Sequence, residues 1–372
     1  MLGLATLPDD PREAQMAHDE GTERIGNDVV AAAALAGDEA AFGQLVERHR
    51  RELHVHCYRM LASYDDAEDI VQETFLRAWN KRHSYAGRST VRAWLYQIAT
   101  NACLDFLRSS SRRARPYQEP PLAVPRAAVQ PPIDVSWLQP YPDSQLDAAA
   151  PGAEEPDAVV VAKETIELAY LMIIQQLPPR QRAVLIMRDV LGWSAAETAA
   201  LLETSVASVK SALQRARATV QQRRPPRREE WDRSVSRTED ERRVLERYID
   251  AHERADVALL AQLLADDVVQ TMPPYPAWLV GCEAALTFAA DVFDPGSAAY
   301  HGRWRSVLTW ANRQPAVAQY VQRPSAAETR SLAGEYRAQV LDVLRIENGA
   351  ITGITSFEPR RFAAFGLPLV LA

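Results

Sequence analysis

Between Thr204 and Arg228 the sequence holds seven cations and no acid. Val206, Val209, Leu213, Ala216 and Val220 fall on one face of a helix at this spacing, leaving Ser208, Lys210, Ser211, Gln214, Arg215 and Arg217 on the other. That chemistry suits a polyanion. Arg215 and Arg217, with Arg223 and Arg224 behind them, can neutralise phosphates, while Ser208, Lys210, Ser211 and Gln214 can reach base edges. Just upstream, Ser194-Ala195-Ala196-Glu197 has the S-x-x-E form of a capping box. It opens a short helix ending near Leu202, and Glu203-Thr204-Ser205 then reads as a turn. A short capped helix, a turn and a basic helix have the proportions of a helix-turn-helix. An ordinary αα-hairpin with a basic outer face is the plainer alternative, but one-sided arginine favours DNA.

A second basic block lies earlier. Residues 77–115 carry nine cations against Asp105, residues 1–76 six cations against sixteen anions, and residues 116–160 only Arg126 against seven acids. The formal net charge of −7 thus hides two cationic patches, and patches set the local field that a polyanion meets. Two separate nucleic-acid contacts are expected. Metal chemistry is not. His49, His54, His56 and Cys57 are zinc-ligand types, but His54 and His56 point to different faces of a helix, whereas a chelating pair stands at i and i+4. A buried Cys57 flanked by surface histidines is the expected arrangement, with no metal and no cofactor. Cys57, Cys103 and Cys282 form no CxxC pair, which argues against a disulfide framework and suits a reducing, cytoplasmic setting.

The elements that must hold these residues follow from periodicity. The 372 residues correspond to two or three domains at about 150 residues each. With 47% hydrophobic and 24% charged residues the composition is that of a globular protein, not a disordered or fibrous one. No run of about 18 apolar residues occurs, so no membrane partner is expected, and the acidic stretch to Asp28 has no apolar core of a secretory signal. Phe42, Leu45, Val46, His49 and Leu53, then Ala67, Ile70, Val71, Thr74, Phe75 and Ala78, then Val91, Trp94, Leu95, Ile98, Ala102 and Phe106 mark three amphipathic helices. Residues 116–156 contain ten prolines and little periodicity, which predicts an extended acidic linker. Beyond Pro225-Pro226 the runs Val317–Val321, Tyr336–Ile346 and Ile351–Phe357 read as strands, and Asn348-Gly349 as a two-residue hairpin.

Asp66-Ala67-Glu68-Asp69-Ile70-Val71-Gln72-Glu73-Thr74-Phe75-Leu76-Arg77-Ala78-Trp79 resembles the region 2 signature of bacterial sigma factors of the sigma-70 family, and Thr90–Asn101 resembles its continuation. Leu177-Pro178-Pro179-Arg180-Gln181-Arg182 through Arg217 resembles region 4. No segment resembles regions 1.1 or 3, and having only regions 2 and 4 is the pattern of the extracytoplasmic function (ECF) group. The resemblance implies partners and roles. Region 2 would dock on the β′ clamp helices of core RNA polymerase through Asp69, Gln72 and Glu73, and region 4 would add contact with the β flap. The loop His83–Ser89, with Ser84, Tyr85 and Arg88, would hold a flipped base of the −10 element. Tyr96, Gln97, Asn101, Arg108 and Arg112 would flank it. The helix-turn-helix would read the −35 element. Trp79 and Trp94 read as core by helical spacing more than as stacking platforms. The linker's acids Asp134, Asp143, Asp147, Glu154, Glu155 and Asp157 could mimic nucleic acid in a basic channel.

Residues 238–372 resemble the SnoaL-like domain of the nuclear transport factor 2-like superfamily, through Leu263–Val268, Met272-Pro273-Pro274, Trp278 and the hairpin at Asn348-Gly349. The expected architecture is therefore multidomain. A flexible tail (1–27) precedes region 2 (28–115), the linker (116–156) and region 4 (157–224), both domains all-α. A short linker (225–237) leads to an α+β cone-barrel domain (238–372). The superfamily's cavity implies a small-molecule site, for which Trp278, Trp304, Trp310, Asn312, Gln314, Tyr320 and Gln339 are candidates. Aromatics that simply fill a core are the alternative. His252 and His301 sit in no motif that marks a base, so catalysis is not expected. The expected function is a sigma factor, modulated by its third domain. A bifunctional protein binding or turning over a small molecule, and a conventional helix-turn-helix repressor or activator, are the alternatives.

Overall fold

The computed structural model describes residues 29–87, 89–110, 136–147, 166–223, 239–275, 278–323 and 335–371. Its first module is helical: α1 (29–36), α2 (Glu39–Leu61), α3 (Tyr64–Lys81) and α4 (Val91–Ser110). Asp38 and Ser63 start α2 and α3 by accepting the backbone N–H of Ala41 and of Asp66, groups that a helix's first turn otherwise leaves unpaired. Leu45, Leu53, Tyr58, Ile70, Val71, Phe75, Leu95, Ala99 and Ala102 form the core between α2, α3 and α4. His54 and His56 are buried here too, contrary to the surface position expected from sequence. The reason is that His56 Nε2 meets the Thr100 hydroxyl at 2.9 Å and His54 Nδ1 meets that of Tyr141 at 2.8 Å, which lets the two rings enter the core.

Residues 136–147 correct the linker expectation in part. They are packed, not merely extended: Leu138, Tyr141 and Leu146 are buried, and α5 (Asp143–Asp147) closes the segment. Gln139 donates its backbone N–H to the Ala62 carbonyl at 3.1 Å, which ties the segment to the end of α2. The remainder of 116–156 lies outside the described residues.

The second module contains α6 (Leu168–Gln175), α7 (Pro179–Leu185) continued by a π turn (Ile186–Val190), α8 (Ala195–Leu201) and α9 (Val206–Arg223). Pro179 sits in the first turn of α7, where its missing N–H removes no helical bond. Arg182 is 3% exposed, and its guanidinium donates to the carbonyls of Ile174, Gln175 and Leu177 at the end of α6 and of Met60 at the end of α2. One cation thereby caps the carbonyl ends of two helices from different modules.

The third module places α10 (Glu239–Glu253), α11 (Val257–Ala261) and α12 (Cys282–Phe293) against a seven-stranded mixed sheet. The strands are β1 (Leu264–Thr271), β2 (Trp278–Val280), β3 (Arg303–Ala311), β4 (Gln314–Gln322), β5 (Tyr336–Glu347), β6 (Ala350–Phe357) and β7 (Val370–Leu371). They run in the order β2-β1-β6-β5-β4-β3, with β7 on β5; β1 and β6 are parallel and the other neighbours antiparallel. Asn348 and Gly349 make the β5–β6 turn at φ +50° and +74°. Strand β4 is buried on both faces: Val317 and Val321 pack under the module's own helices, while Ala316, Ala318 and Tyr320 belong to the core shared with the helical modules. The α+β cone-barrel expectation agrees with this architecture.

Candidate nucleic-acid interface

The helix-turn-helix forms as its residues dictate. Ser194 accepts the Glu197 N–H while the Glu197 carboxylate accepts that of Ser194, so both arms of the capping box are closed at the start of α8. Glu203 turns the chain at φ +50°, and Ser205 accepts the Ser208 N–H at 3.1 Å to begin α9. Val209 and Ala216 are buried against α7 and α8. That register exposes Ser208, Lys210, Gln214 and Arg215 together; Ser211 is half-buried and its hydroxyl accepts from Arg215. Arg217 is exposed, but its guanidinium is forked onto Asp189 of the π turn at 2.6 and 3.0 Å. It fixes α9 to the π turn that continues α7, a role that its position in a cationic run could not signal.

The face proposed for the −10 element is only partly open. Ser84, Asn101 and Arg108 are exposed, Tyr85 and Gln97 half-buried; Arg108 pairs with Asp105, and the Tyr85 hydroxyl donates to the Ser89 carbonyl across the loop. Arg88 and Arg112 lie outside the described residues. Tyr96, expected on the polar face, is 2% exposed: its ring lies 5.3 Å from that of Trp193, which precedes the capping box of α8. Its hydroxyl donates to Glu52 at 3.2 Å, and Glu52 also takes Arg92 at 2.7 Å and His49 at 2.5 Å. Burial pushes the Glu52 carboxyl up, yet the His49 hydrogen bond and the Arg92 charge outweigh it and leave the group below its ordinary range. Trp79 stacks edge-on to Phe42 at 5.0 Å under the Arg82 guanidinium, and Trp94 lies 5.4 Å from Tyr85; both are half-buried.

On α3, Asp69 and Gln72 are exposed, while Glu73 is half-buried and holds Arg77 at 2.7 Å. Leu76 completes the same i, i+3, i+4, i+7 stripe and is 60% exposed, a large apolar side chain left in water. It was missed because an isolated leucine in an amphipathic helix reads as core. Beside it lies a groove of about 510 Å³ lined by Phe42, Val46, Phe75, Leu76 and Trp79.

The candidate cavity residues of the third module do not meet around one space. Trp304 lies in the core under α10, Tyr320 faces Phe362 and donates to the Pro368 carbonyl at 2.9 Å, and Gln339 accepts from Arg323 at 3.2 Å. Trp278 belongs to the short strand β2 and Trp310 stands opposite Pro315. Asn312 faces out of the module toward the helical ones, its amide donating to the Tyr58 hydroxyl and to the Ile166 carbonyl. Gln314 stands at the boundary: it accepts the Leu168 N–H at 3.1 Å and donates to the Leu344 carbonyl of β5 at 3.5 Å. Buried polar groups do gather elsewhere. Tyr248 and Ser356 donate to Asp342 at 3.1 and 2.7 Å, and burial raises that carboxyl. Among the described residues no group of three His, Cys, Asp or Glu is arranged to hold a metal ion, and no helix is long and apolar enough to cross a membrane.

Comparison with known proteins gives the same sequence of modules. Family models of Sigma-70 region 2, Sigma-70 region 4 and the SnoaL-like domain match residues 45–113, 167–220 and 245–354. The ECF RNA polymerase sigma factor SigG of Mycobacterium tuberculosis is 38% identical over 333 residues, covering 88% of this chain and 84% of the relative. SigM of the same species is 31% identical over 198 residues, 53% of this chain and 84% of the relative. The crystal structure of the Mycobacterium tuberculosis ECF sigma factor SigJ shares the fold, with a TM-score of 0.50 at 23% identity over 87% of this chain and 98% of that one. Two sigma modules followed by a SnoaL-like module define the class, an RNA polymerase sigma factor with an appended α+β domain. The chain belongs to the ECF sigma factor family.

Proposed function

We propose that this protein binds core RNA polymerase, directs it to promoters through −10 and −35 elements, helps open the duplex, and is modulated by its SnoaL-like domain. The observation that carries this reading is the outer face of α9, where Ser208, Lys210, Gln214 and Arg215 stand exposed in a stretch without an acid. This face reads the −35 element. Region 2, taken as residues 28–115, engages the β′ clamp helices through Asp69, Gln72 and Glu73, with Leu76 as an apolar anchor, and the −10 element through Ser84, Tyr85, Asn101 and Arg108. Region 4, taken as 157–224, adds the β flap. Nucleotide addition belongs to the polymerase, so the chain needs no bond chemistry of its own.

The test is transcription from a −10/−35 template by core polymerase with the full chain, followed by the same reaction with the −35 hexamer scrambled. The reading expects initiation that depends on the factor and is lost with the scrambled element. Template occupancy that needs no polymerase, combined with absent initiation, would overturn it in favour of a conventional repressor or activator.

A further inference from the structure

Arg217 lies on the stripe of α9 that carries Lys210 and Gln214, at i, i+4 and i+7, and so belongs by position to the reading face. Its chemistry is spent elsewhere. Asp189, 28 positions earlier, takes its Nη2 and Nε at 2.6 and 3.0 Å. Asp189 is the more enclosed partner, its side chain 19% exposed against 60% for Arg217. The hydrogen bond to Asp189 also holds the Arg217 guanidinium above its ordinary range.

The carboxylate belongs to a widened turn. Over Ile186–Val190 α7 passes into π geometry, and the Leu191 N–H donates to the Ile186 carbonyl at 3.0 Å, five residues back instead of four. Gly192, at φ +69°, then bends the chain, and the Trp193 N–H returns to the Met187 carbonyl at 3.0 Å. Arg188, next to Asp189, donates its guanidinium to the Trp193 carbonyl, one residue before the capping box of α8. Adjacent side chains of one turn therefore hold both helices of the helix-turn-helix: Arg188 the entry to α8, Asp189 the body of α9. Val209, Leu213 and Ala216 seat α9 on its neighbours by apolar burial, which has no direction of its own. A two-bond fork fixes direction as well as distance.

We propose that Asp189 and Arg217 are positioning residues for promoter reading. The fork sets the angle at which α9 enters the major groove, so that Ser208, Lys210 and Gln214 meet the same base edges in every complex. It also withholds Arg217 from the phosphates that its place in a cationic run would assign to it. The inference rests on the −35 role proposed above, names what aims the helix and takes one cation off the list of DNA contacts.

The experiment uses holoenzyme assembled from core polymerase and the full chain, with Asp189→Asn, Arg217→Ala and Arg217→Lys. Two quantities are read over a salt series. One is the ratio of affinities for templates with the −35 hexamer intact and scrambled, the other the slope of log affinity against log salt. Arg217→Ala should lower the ratio about tenfold, the worth of one bidentate base contact, and leave the slope unchanged. Arg217→Lys should do the same, because an ammonium cannot fork a carboxylate. Asp189→Asn should lower the ratio too, while the released guanidinium reaches phosphate and steepens the slope by about 1.

An Arg217→Ala slope shallower by about 1, with Arg217→Lys matching wild type in both quantities, makes Arg217 a phosphate contact and overturns the proposal. Wild-type ratios in all three variants overturn it as well. If Arg217→Ala does not fold, Arg217→Lys and Asp189→Asn decide. If wild-type holoenzyme shows no preference for the intact hexamer, the promoter-reading proposal fails instead. The salt series on plain duplex DNA then decides on the fork alone: an unchanged Arg217→Ala slope supports it, and a shallower one overturns it.

Discussion

His54 sits where α2 meets the inter-module segment, packed between the rings of Tyr64 and Tyr141. Burial pulls its imidazole down to about 4 from 6.5, with Glu68 pulling weakly the other way. A depressed folded value means the unfolded chain takes up the proton first. The stability contributed by neutral His54 is therefore complete above pH 6.5 and is lost as the pH falls toward 4. Urea unfolding should lose up to about 3 kcal/mol across that window from this group, at roughly 1.4 kcal/mol per unit. His54→Gln should remove that share of the slope, and an unchanged pH profile in the variant would assign the loss to other groups. On α9 the expected residue-scale effects concern binding. Lys210→Ala and Arg215→Ala should each weaken promoter binding and reduce the salt-dependence slope by about 1 where the lost contact is to a phosphate. Gln214→Ala should instead relax preference at one base position, as read by competition with mutated −35 templates.

At the scale of elements, the helix-turn-helix depends on local bonds that are few and identifiable. Ser194→Ala opens the capping box of α8 and should cost about 1 kcal/mol, seen as a lower melting temperature with little change in polymerase affinity. On α3 the expectation runs the other way. Leu76→Asp leaves the fold intact, because the side chain already stands in water, and should weaken core polymerase capture at least tenfold in a pull-down. The helical elements were legible because their signals are local: the capping box, the three-residue turn and the 3.6-residue period of α3 and α9 all lie within a few residues of what they specify. So was the Asn348-Gly349 turn. The hairpin at Asn312-Arg313 was not, since neither residue is the glycine that ordinarily marks left-handed backbone, and its support comes from Tyr141 and Asp143, some 170 positions away. Arg182 escaped notice for the same reason: only the neighbouring carbonyl ends of α2 and α6 explain a guanidinium in the core.

The whole molecule is joined by one apolar core that includes Tyr58 of region 2, Leu138 and Tyr141 of the segment between modules, Ile166 and Leu171 of region 4, and Ala316 and Tyr320 of the sheet. Composition alone pointed to separate bodies on a proline-rich tether, because proline content reports the lack of helix and strand period, not the lack of burial. Leu138, Tyr141 and Leu146 are buried without a sustained helix or strand period in the sequence, so their packing could be seen only in three dimensions. Cutting away the SnoaL-like domain would bare Tyr58, Leu138, Tyr141 and Ile166 along with the donors and acceptors that Asn312 now satisfies. A trimmed descendant would carry a sticky scar across its middle, and it could remain dispersed in water only by acquiring polar replacements there or by recruiting a separate polypeptide to cover the wound.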